Sequence, residues 1–309
     1  MSRFFNQSRK LAAHVTPGFP GGSVVERVSK LKEAMEAERH PAESVSEAHL
    51  KQMLTPLDNS DKTASAVVAA RLANCGSIRL LRDDGKSLLA PSYNPSMQQA
   101  VEAYQRLRAA LVKCQDKHGT RSLVVSSPGP REGKTLTTFN LALCFARIQN
   151  WPVLIVDADL RTRGLSRLLG DPHSVGLGKV LESGCPYDAA ILRTDVPNLY
   201  ALLAGEVSVP APELFSRAGW KELVAWSSEC FKLVLVDSPP ALNLADFELI
   251  TAPCEGVMLI ARSGNTSRDS LTRTCARIDP KKLMGAVLNV SDDKKENGHY
   301  YSYQARIKR

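Results

Sequence analysis

Short apolar runs separated by longer mixed segments dominate the chain from about residue 121 onward. The runs lie at 122–126, 153–157, 199–203, 232–236, 256–261 and 285–289. Near-continuous apolar strands that alternate with helices are typical of a parallel sheet covered on both faces. We therefore predict an α/β fold with a parallel sheet and helices on both faces. Ligand sites are expected at the carboxyl ends of its strands.

The region before this pattern predicts a helix that leads into the sheet and a loosely ordered N-terminal arm. A helix start at Ser96 precedes an apolar face with Tyr104 at its centre, which predicts a helix at roughly 96–114. Ser23 also opens a capping-box pattern, but the apolar stripe behind it is thin. We assign residues 1–90 to a partly helical, partly disordered arm and linker.

Composition narrows the class of protein. The 309 residues and 43% apolar content suffice for one large domain with extensions. No apolar run approaches the ~18–20 residues that span a bilayer, and the first residues lack the core of a secretion signal. The seven cysteines form no C-x-x-C pair, so we expect reduced thiols. The net charge of +8 is spread along the chain, which favours a solvated surface over a nucleic-acid site.

The strand at 122–126 runs into a loop typical of phosphate binding. The loop ends in Gly133-Lys134-Thr135 and is followed by an apolar helix, whose N-terminus and loop N–H groups favour an anion. Lys134 is expected to reach the β- and γ-phosphates of a nucleotide, and Thr135 to contact Mg²⁺ through its hydroxyl. Pro128 replaces the glycine that commonly starts this loop. The candidate nucleotide-binding residues here are Pro130, Arg131, Glu132, Gly133, Lys134, Thr135 and Leu136.

Two further apolar strands end in aspartates. Asp157 and Asp159 follow the strand at 153–157, and Asp237 follows the strand at 232–236. A lone aspartate in such a place is usually a turn or cap residue. Together with the phosphate loop in one sheet, however, these carboxylates suit a hard cation bound to phosphates, and the Asp237 segment has the Walker B pattern. The predicted metal residues are Thr135, Asp159 and Asp237.

These three segments, in this order, resemble those of the bacterial tyrosine kinases (BY-kinases) over about residues 90–304. VLIVDADLR is similar to the family's Walker A′ motif and LVLVDSPP to its Walker B motif. The resemblance implies a P-loop NTPase-type fold over 91–296, with ATP and Mg²⁺ as cofactors. It implies Lys134, Asp157 and Asp159 as catalytic residues, with Asp157 orienting or deprotonating a tyrosine hydroxyl. It also implies that Asn289, in the final strand, lies near the adenine.

The same resemblance extends to a tail and to self-association. Tyr300, Tyr301 and Tyr303 are similar to the tyrosine cluster that family members autophosphorylate, so we assign 297–309 to a mobile tyrosine-containing tail. Glu102 and Arg108 match two of the three charged positions of the family's oligomerisation helix. Two residues depart from the pattern: Gln105 stands where that helix has arginine, and Arg131 where the phosphate loop often has glycine.

The activity implied by the resemblance is protein-tyrosine autophosphorylation in exopolysaccharide or capsule biosynthesis or export, of the soluble type associated with exosortase systems. A cytoplasmic homo-oligomer is expected, recruited to the inner face of the membrane by a transmembrane polysaccharide copolymerase. One alternative is an ATP-binding regulatory subunit with weak kinase activity, which Arg131 and Gln105 favour. Another is a positioning or partition ATPase, although Gly129 stands where that group has a second lysine.

Overall fold

The computed structural model describes residues 14–15, 62–80, 98–170, 175–242 and 245–290. Its helices are α1 (Lys62–Arg71), α2 (Gln98–His118), α3 (Lys134–Ala146), α4 (Gly164–Leu169), α5 (Leu177–Ser183), α6 (Tyr187–Ala190), α7 (Ala211–Phe215), α8 (Ala218–Cys230), α9 (Asp246–Thr251) and α10 (Arg268–Ala276). Its strands are β1 (His14–Val15), β2 (Gly76–Ile78), β3 (Ser122–Ser126), β4 (Val153–Asp157), β5 (Ile191–Thr194), β6 (Leu199–Leu202), β7 (Leu233–Asp237), β8 (Gly256–Arg262) and β9 (Leu283–Asn289).

The strands form one sheet in the order β1-β9-β8-β3-β7-β4-β6-β5-β2. All six predicted strands are confirmed, with ends that differ by no more than two residues. The parallel arrangement is confirmed across the centre of the sheet, from β9 to β6. Towards the edges it is corrected, because β1 runs antiparallel to β9 and β5 runs antiparallel to β6. The strands that were missed, β1, β2 and β5, have only two to four residues and are too short to show periodicity.

Helices cover both faces of the sheet, as predicted. On one face the core includes Trp220 and Phe247, both buried against alternate residues of the strands. On the other face Phe145 of α3 and Leu107 of α2 pack on the remaining strand residues. Because both faces are covered, the central strands are buried at every position, which is why they read as continuous apolar runs.

Helix α2 confirms the predicted helix and extends to His118. Its buried positions include Tyr104, Leu107 and Leu111, the predicted apolar face. The hydroxyl of Tyr104 accepts a hydrogen bond from Asn140 Nδ2 of α3 at 3.2 Å, and burial raises the pKa of Tyr104 to about 12. The amphipathic stripe therefore packs α2 onto α3, the helix that follows the phosphate loop.

Part of the segment that we assigned to an N-terminal arm belongs to the sheet unit. Strand β2 pairs with β5, and Val68 of α1 is fully buried. The globular unit therefore includes residues 62–80, because this edge of the sheet is covered by chain that precedes α2. The predicted helix start at Ser23, the boundary at residue 90 and the tail at 297–309 lie outside the described residues.

The cysteine prediction agrees with the described residues, in which all seven cysteines are free thiols. Among the helices described, none combines the length and apolar character needed to cross a membrane.

Candidate nucleotide and metal site

The phosphate loop and the three predicted aspartates meet at the carboxyl edge of three adjacent strands. β7 lies between β3 and β4, so the phosphate loop and the two acidic strand ends are neighbours. Asp157 and Asp237 are directly paired in the register of β4 and β7. Their carboxylates are therefore on the same face of the sheet, and both residues are completely buried.

The phosphate loop has two residues with left-handed backbone. Arg131 has a φ of 64° and Gly133 a φ of 99°, and helix α3 begins directly after Gly133. A Cβ atom at Gly133 would lie 2.1 Å from Nδ2 of Asn289. Glycine is thus required at 133 both by the backbone conformation and by the close approach of Asn289.

Asp157 is held by Ser166 of helix α4. Its Oδ2 accepts hydrogen bonds from the backbone N–H of Ser166 at 2.8 Å and from Ser166 Oγ at 2.7 Å. Ser166 Oγ also accepts from the backbone N–H of Ala204 at 2.9 Å. The other oxygen, Oδ1, is buried without a hydrogen-bond partner in the described part of the chain. Burial raises the pKa of Asp157 to about 6, the two bonds from Ser166 lower it, and the charge of Asp159 raises it.

Asp159 stands beside the phosphate-loop lysine. Lys134 Nζ lies 3.6 Å from Asp159 Oδ2. The same carboxylate accepts hydrogen bonds from Thr162 N at 3.0 Å and from Thr162 Oγ1 at 2.5 Å. The Asp-Ala-Asp turn therefore places one carboxylate beneath α4 and the other against Lys134.

Asp237 is the most strongly perturbed of the three aspartates. Neither of its oxygens has a hydrogen bond of ordinary geometry to the described residues. Burial raises the pKa of Asp237 to about 8; Lys134 lowers it, the neighbouring Asp157 raises it, and the nearby Thr135 hydroxyl lowers it. A buried carboxylate without a hydrogen-bond partner is costly, so the site is built to receive a cation or a hydrogen-bond donor.

The donor set fits Mg²⁺ held partly by phosphates. Within the described ranges no group of three or more His, Cys, Asp or Glu side chains forms a complete cation site. Mg²⁺ is usually bound by one or two carboxylates together with substrate phosphates and water. Asp237, Asp159 and the Thr135 hydroxyl supply that smaller set. The Thr135 hydroxyl also faces the start of α4, since a Cβ at Gly164 would lie 3.0 Å from its Oγ1.

The remaining predicted nucleotide-binding residues divide into exposed and buried positions. Pro130 and Arg131 are exposed, Leu136 is half-buried, and Glu132 is buried. Asn289 is also buried, and its Nδ2 donates to the backbone carbonyl of Glu132 at 2.9 Å. Asn289 therefore contacts the phosphate loop itself, while its proximity to an adenine stays a prediction.

The residues predicted for self-association differ in their surroundings. Glu102 is exposed on α2, whereas Arg108 is half-buried and its Nη1 donates to the carbonyl of Cys144 at 2.8 Å. Arg108 thus ties α2 to the end of α3 within one chain, and its role between subunits stays a prediction. The tyrosines predicted as phosphorylation sites, Tyr300, Tyr301 and Tyr303, lie outside the described residues.

Sequence reasoning missed three polar residues that support the site. Ser166 holds Asp157, Thr162 holds Asp159, and Thr266 donates to Glu132 Oε1 at 2.6 Å. Ser166 and Thr162 follow the acidic turn closely, so their proximity to it in sequence was a usable signal. Thr266 is remote in sequence, and only the fold brings it to the loop.

A phosphate loop followed by acidic ends of adjacent parallel strands defines the P-loop nucleotide-binding class. No family model matches the chain. Curated relatives include tyrosine-protein kinase YwqD of Bacillus subtilis (strain 168), 29% identical over 61% of this chain and 80% of the relative. Tyrosine-protein kinase ptk of Acinetobacter johnsonii is 30% identical over 62% of this chain but only 26% of the relative.

Two solved kinase domains have a fold similar to that of this chain. The kinase domain of Escherichia coli tyrosine kinase ETK has a TM-score of 0.64 and 25% identity, covering 71% of this chain and 86% of that domain. The BceF tyrosine kinase domain matches the fold with a TM-score of 0.58 at 22% identity, over 79% of this chain and 97% of that domain. The chain is thus a relative of the bacterial tyrosine kinases, the family that its motifs resemble.

Proposed function

We propose that this chain is an ATP-dependent protein-tyrosine autokinase, which phosphorylates other copies of itself, and that it acts in exopolysaccharide or capsule biosynthesis or export. The observation that carries the proposal is the convergence of Lys134, Asp157, Asp159 and Asp237 at one edge of the sheet. The relationship to proteins named as tyrosine-protein kinases supports this chemistry over other uses of a P-loop.

The phosphate loop and Lys134 would hold the nucleotide. Lys134 has an 11% exposed side chain and lies against Asp159. From this position its ammonium group would neutralise charge on the phosphates. Mg²⁺, held by Thr135, Asp159 and Asp237, would supply further positive charge to the transferred phosphoryl group.

Asp157 is the residue that we assign to the tyrosine hydroxyl. Ser166 fixes Oδ2 and leaves Oδ1 buried and unpartnered within the described residues, which supports Oδ1 as the atom that would accept the hydroxyl proton or orient the hydroxyl. A pKa of about 6 keeps most of this carboxylate ionised at neutral pH and makes it a stronger base than an ordinary aspartate.

The remaining parts of the proposal come from the family relationship. Tyr300, Tyr301 and Tyr303 are the phosphate acceptors, and transfer occurs between subunits of a homo-oligomer. A transmembrane polysaccharide copolymerase recruits the chain to the inner face of the cell membrane and activates it. Each phosphotyrosine adds about −1.5 to −2 charge beside the basic end of the chain.

One observation favours a second candidate, the ATP-binding regulatory subunit with weak kinase activity. Arg131 adopts a φ of 64°, a conformation that costs a non-glycine residue about 1–3 kcal/mol. A loop that relieves this strain by leaving its nucleotide-binding shape would bind nucleotide more weakly. The two candidates differ in whether phosphate reaches tyrosine.

The test is incubation of the purified protein with its copolymerase partner and Mg-ATP, followed by mapping of phosphate by mass spectrometry. A Lys134→Met copy with an intact tail is mixed with the wild type. The kinase proposal expects phosphotyrosine at 300, 301 or 303 in both copies, which demonstrates transfer between subunits. Bound ATP without phosphotyrosine in either copy would favour the regulatory subunit.

A further inference from the structure

The phosphate loop carries a buried carboxylate. Glu132 precedes Gly133, is only 3% exposed, and directs Oε1 to the hydroxyl of Thr266 at 2.6 Å. Burial raises the pKa of Glu132, and the hydrogen bond from Thr266 lowers it. An acidic side chain beside a phosphate site is unfavourable for anion binding, so its placement there needs a structural reason.

The hydroxyl of Thr266 links the end of β8 to the phosphate loop by accepting one hydrogen bond and donating another. Oγ1 accepts from the backbone N–H of Arg262, at the end of β8, at 2.7 Å, while its own proton goes to Glu132. The backbone N–H of Thr266 donates to the carbonyl of Arg262 at 2.9 Å. The turn after β8 is thereby closed on itself, with Thr266 aimed at the phosphate loop.

Two further contacts join the same region to the loop. Arg262 Nη1 donates to the carbonyl of Arg131 at 3.1 Å, and Asn289 Nδ2 donates to the carbonyl of Glu132. The backbone of Asn289 in turn accepts from Ser263 N at 2.9 Å. Consecutive loop residues, including the strained Arg131, are thus held from one side by the ends of β8 and β9.

We propose that Arg262, Thr266 and Asn289 form a clasp that holds the phosphate loop in its nucleotide-binding shape, with Thr266 as the positioning residue that fixes Glu132. The inference rests on the nucleotide site of the proposed function. The left-handed conformation at Arg131 requires such support, because a non-glycine residue there relaxes unless surrounding contacts hold it. The clasp acts on nucleotide affinity and does not include Asp157, the residue that the proposed function assigns to the tyrosine hydroxyl.

The test compares three threonine variants by calorimetry with Mg-ADP and by thermal unfolding. Thr266→Val removes the hydroxyl at nearly constant volume, and the expected loss is about tenfold in affinity, the size of one lost hydrogen bond. Thr266→Ser restores the hydroxyl and is expected to bind within about twofold of the wild type. Thr274→Val is the matched control. Thr274 is also buried, but its hydroxyl donates to the backbone carbonyl of Ser270 within α10 at 2.8 Å and not to the phosphate loop.

The kinase assay provides an independent reading. Thr266→Val is expected to raise the KM for ATP with kcat nearly unchanged at saturation. Unchanged Mg-ADP affinity in Thr266→Val would overturn the clasp while leaving the nucleotide site intact. An equal loss in Thr274→Val would also overturn it, because the effect would then be general destabilisation. If the wild type binds no Mg-ADP, the nucleotide site and the clasp both fall, whereas binding without tyrosine phosphorylation contradicts only the kinase proposal.

Discussion

Asp157 and Asp237 face each other across adjacent parallel strands, each completely buried and each with at least one carboxylate oxygen unpartnered among the described residues. Burial raises the pKa of both carboxylates, and the charge of Asp157 raises the pKa of Asp237 further, so keeping both ionised is costly unless a cation compensates them. Lys134, the first residue of α3, supplies part of that compensation. This pairing explains why the site is expected to bind nucleotide together with a metal ion.

Lys134→Met is expected to weaken Mg-ATP binding by about 10- to 100-fold, the range for a lost charge-assisted hydrogen bond of about 1.5–3 kcal/mol. Calorimetry measures the change. Lys179→Met is the control, because Lys179 is not part of the phosphate loop and pairs with Glu182 of its own helix, α5, at 3.3 Å. Equal affinities of wild type and Lys134→Met would remove Lys134 from the nucleotide site.

Ser166→Ala is expected to move the pH profile of phosphotransfer to higher pH. Loss of the Ser166 hydroxyl removes a hydrogen bond that stabilises ionised Asp157, so the pKa of Asp157 rises above about 6. If ionised Asp157 accepts the tyrosine proton, the rate rises with pH through this pKa, and the rise shifts upward in the variant. Asp157→Asn should abolish the rate and keep nucleotide binding. An unshifted profile in Ser166→Ala would argue against Asp157 as the group that titrates.

The metal-free protein is expected to lose stability as pH rises from about 4 to about 8. Asp237 is protonated preferentially in the folded state, where its pKa is about 8 instead of 3.8, so the folded state binds more protons throughout this window. The contribution of Asp237 to the free energy of unfolding is complete below pH ~4 and is lost as pH rises through the pKa of the folded state. Urea unfolding in EDTA measures the slope.

Asp237→Asn should flatten this pH dependence, while Asp116→Asn, an exposed change on α2, should keep it. Mg²⁺ and nucleotide should restore stability at pH 8 in the wild type more than in Asp237→Asn, because ligands that bind the folded state stabilise it. Identical slopes in wild type and Asp237→Asn would show that another group controls the transition.

Arg131→Gly is expected to stabilise the protein by about 1 kcal/mol, since glycine adopts a φ of 64° without strain. Chemical unfolding gives the difference. Arg147→Gly is the matched control: Arg147 is also exposed, but its φ of −74° is ordinary, so glycine there should destabilise. Nucleotide affinity of Arg131→Gly tells whether the arginine side chain also contacts phosphate, because a lost contact lowers affinity despite the gain in stability.

Glu102→Lys is expected to weaken self-association, because Glu102 lies on the exposed side of α2. The effect should be less than about tenfold and should shrink with salt, since exposed ion pairs contribute about 0–1 kcal/mol. Sedimentation at low and high salt measures it. Arg108→Ala is a poor probe of the interface, because it also removes the hydrogen bond from Arg108 to the backbone carbonyl of Cys144 within the same chain. Unchanged association of Glu102→Lys at low salt would place the interface elsewhere.

The centre of the fold and the chemical residues could be predicted from sequence because both follow local rules. Buried strands leave continuous apolar runs, and a phosphate loop or acidic strand end occupies a fixed place in such a pattern. The supporting residues follow no local rule. Thr266 reaches Glu132 across 134 residues of sequence, and its segment resembles an ordinary helix start, with Ser267 as the N-cap of α10.

The β5–β6 hairpin shows a signal that could have been used. Pro197-Asn198 precedes β6, and Asn198 has a φ of 63°, a conformation that asparagine tolerates well in turns. Reading this turn would have indicated an antiparallel pair in an otherwise parallel pattern. Strand β2, by contrast, has three residues and is defined by its pairing with β5, which sequence periodicity does not reveal.

Both outer strands of the sheet come from chain that precedes α2: β1 borders β9, and β2 borders β5. A shortened protein that begins at α2 would keep every residue of the nucleotide site but would present the backbone N–H and C=O groups of β9 and β5 to solvent. Bare strand edges recruit other strands, so such a fragment would be prone to stacking and precipitation. Residues 14–15 and 76–78 thus cover the edges of β9 and β5, and a preparation for crystallography or screening should retain them.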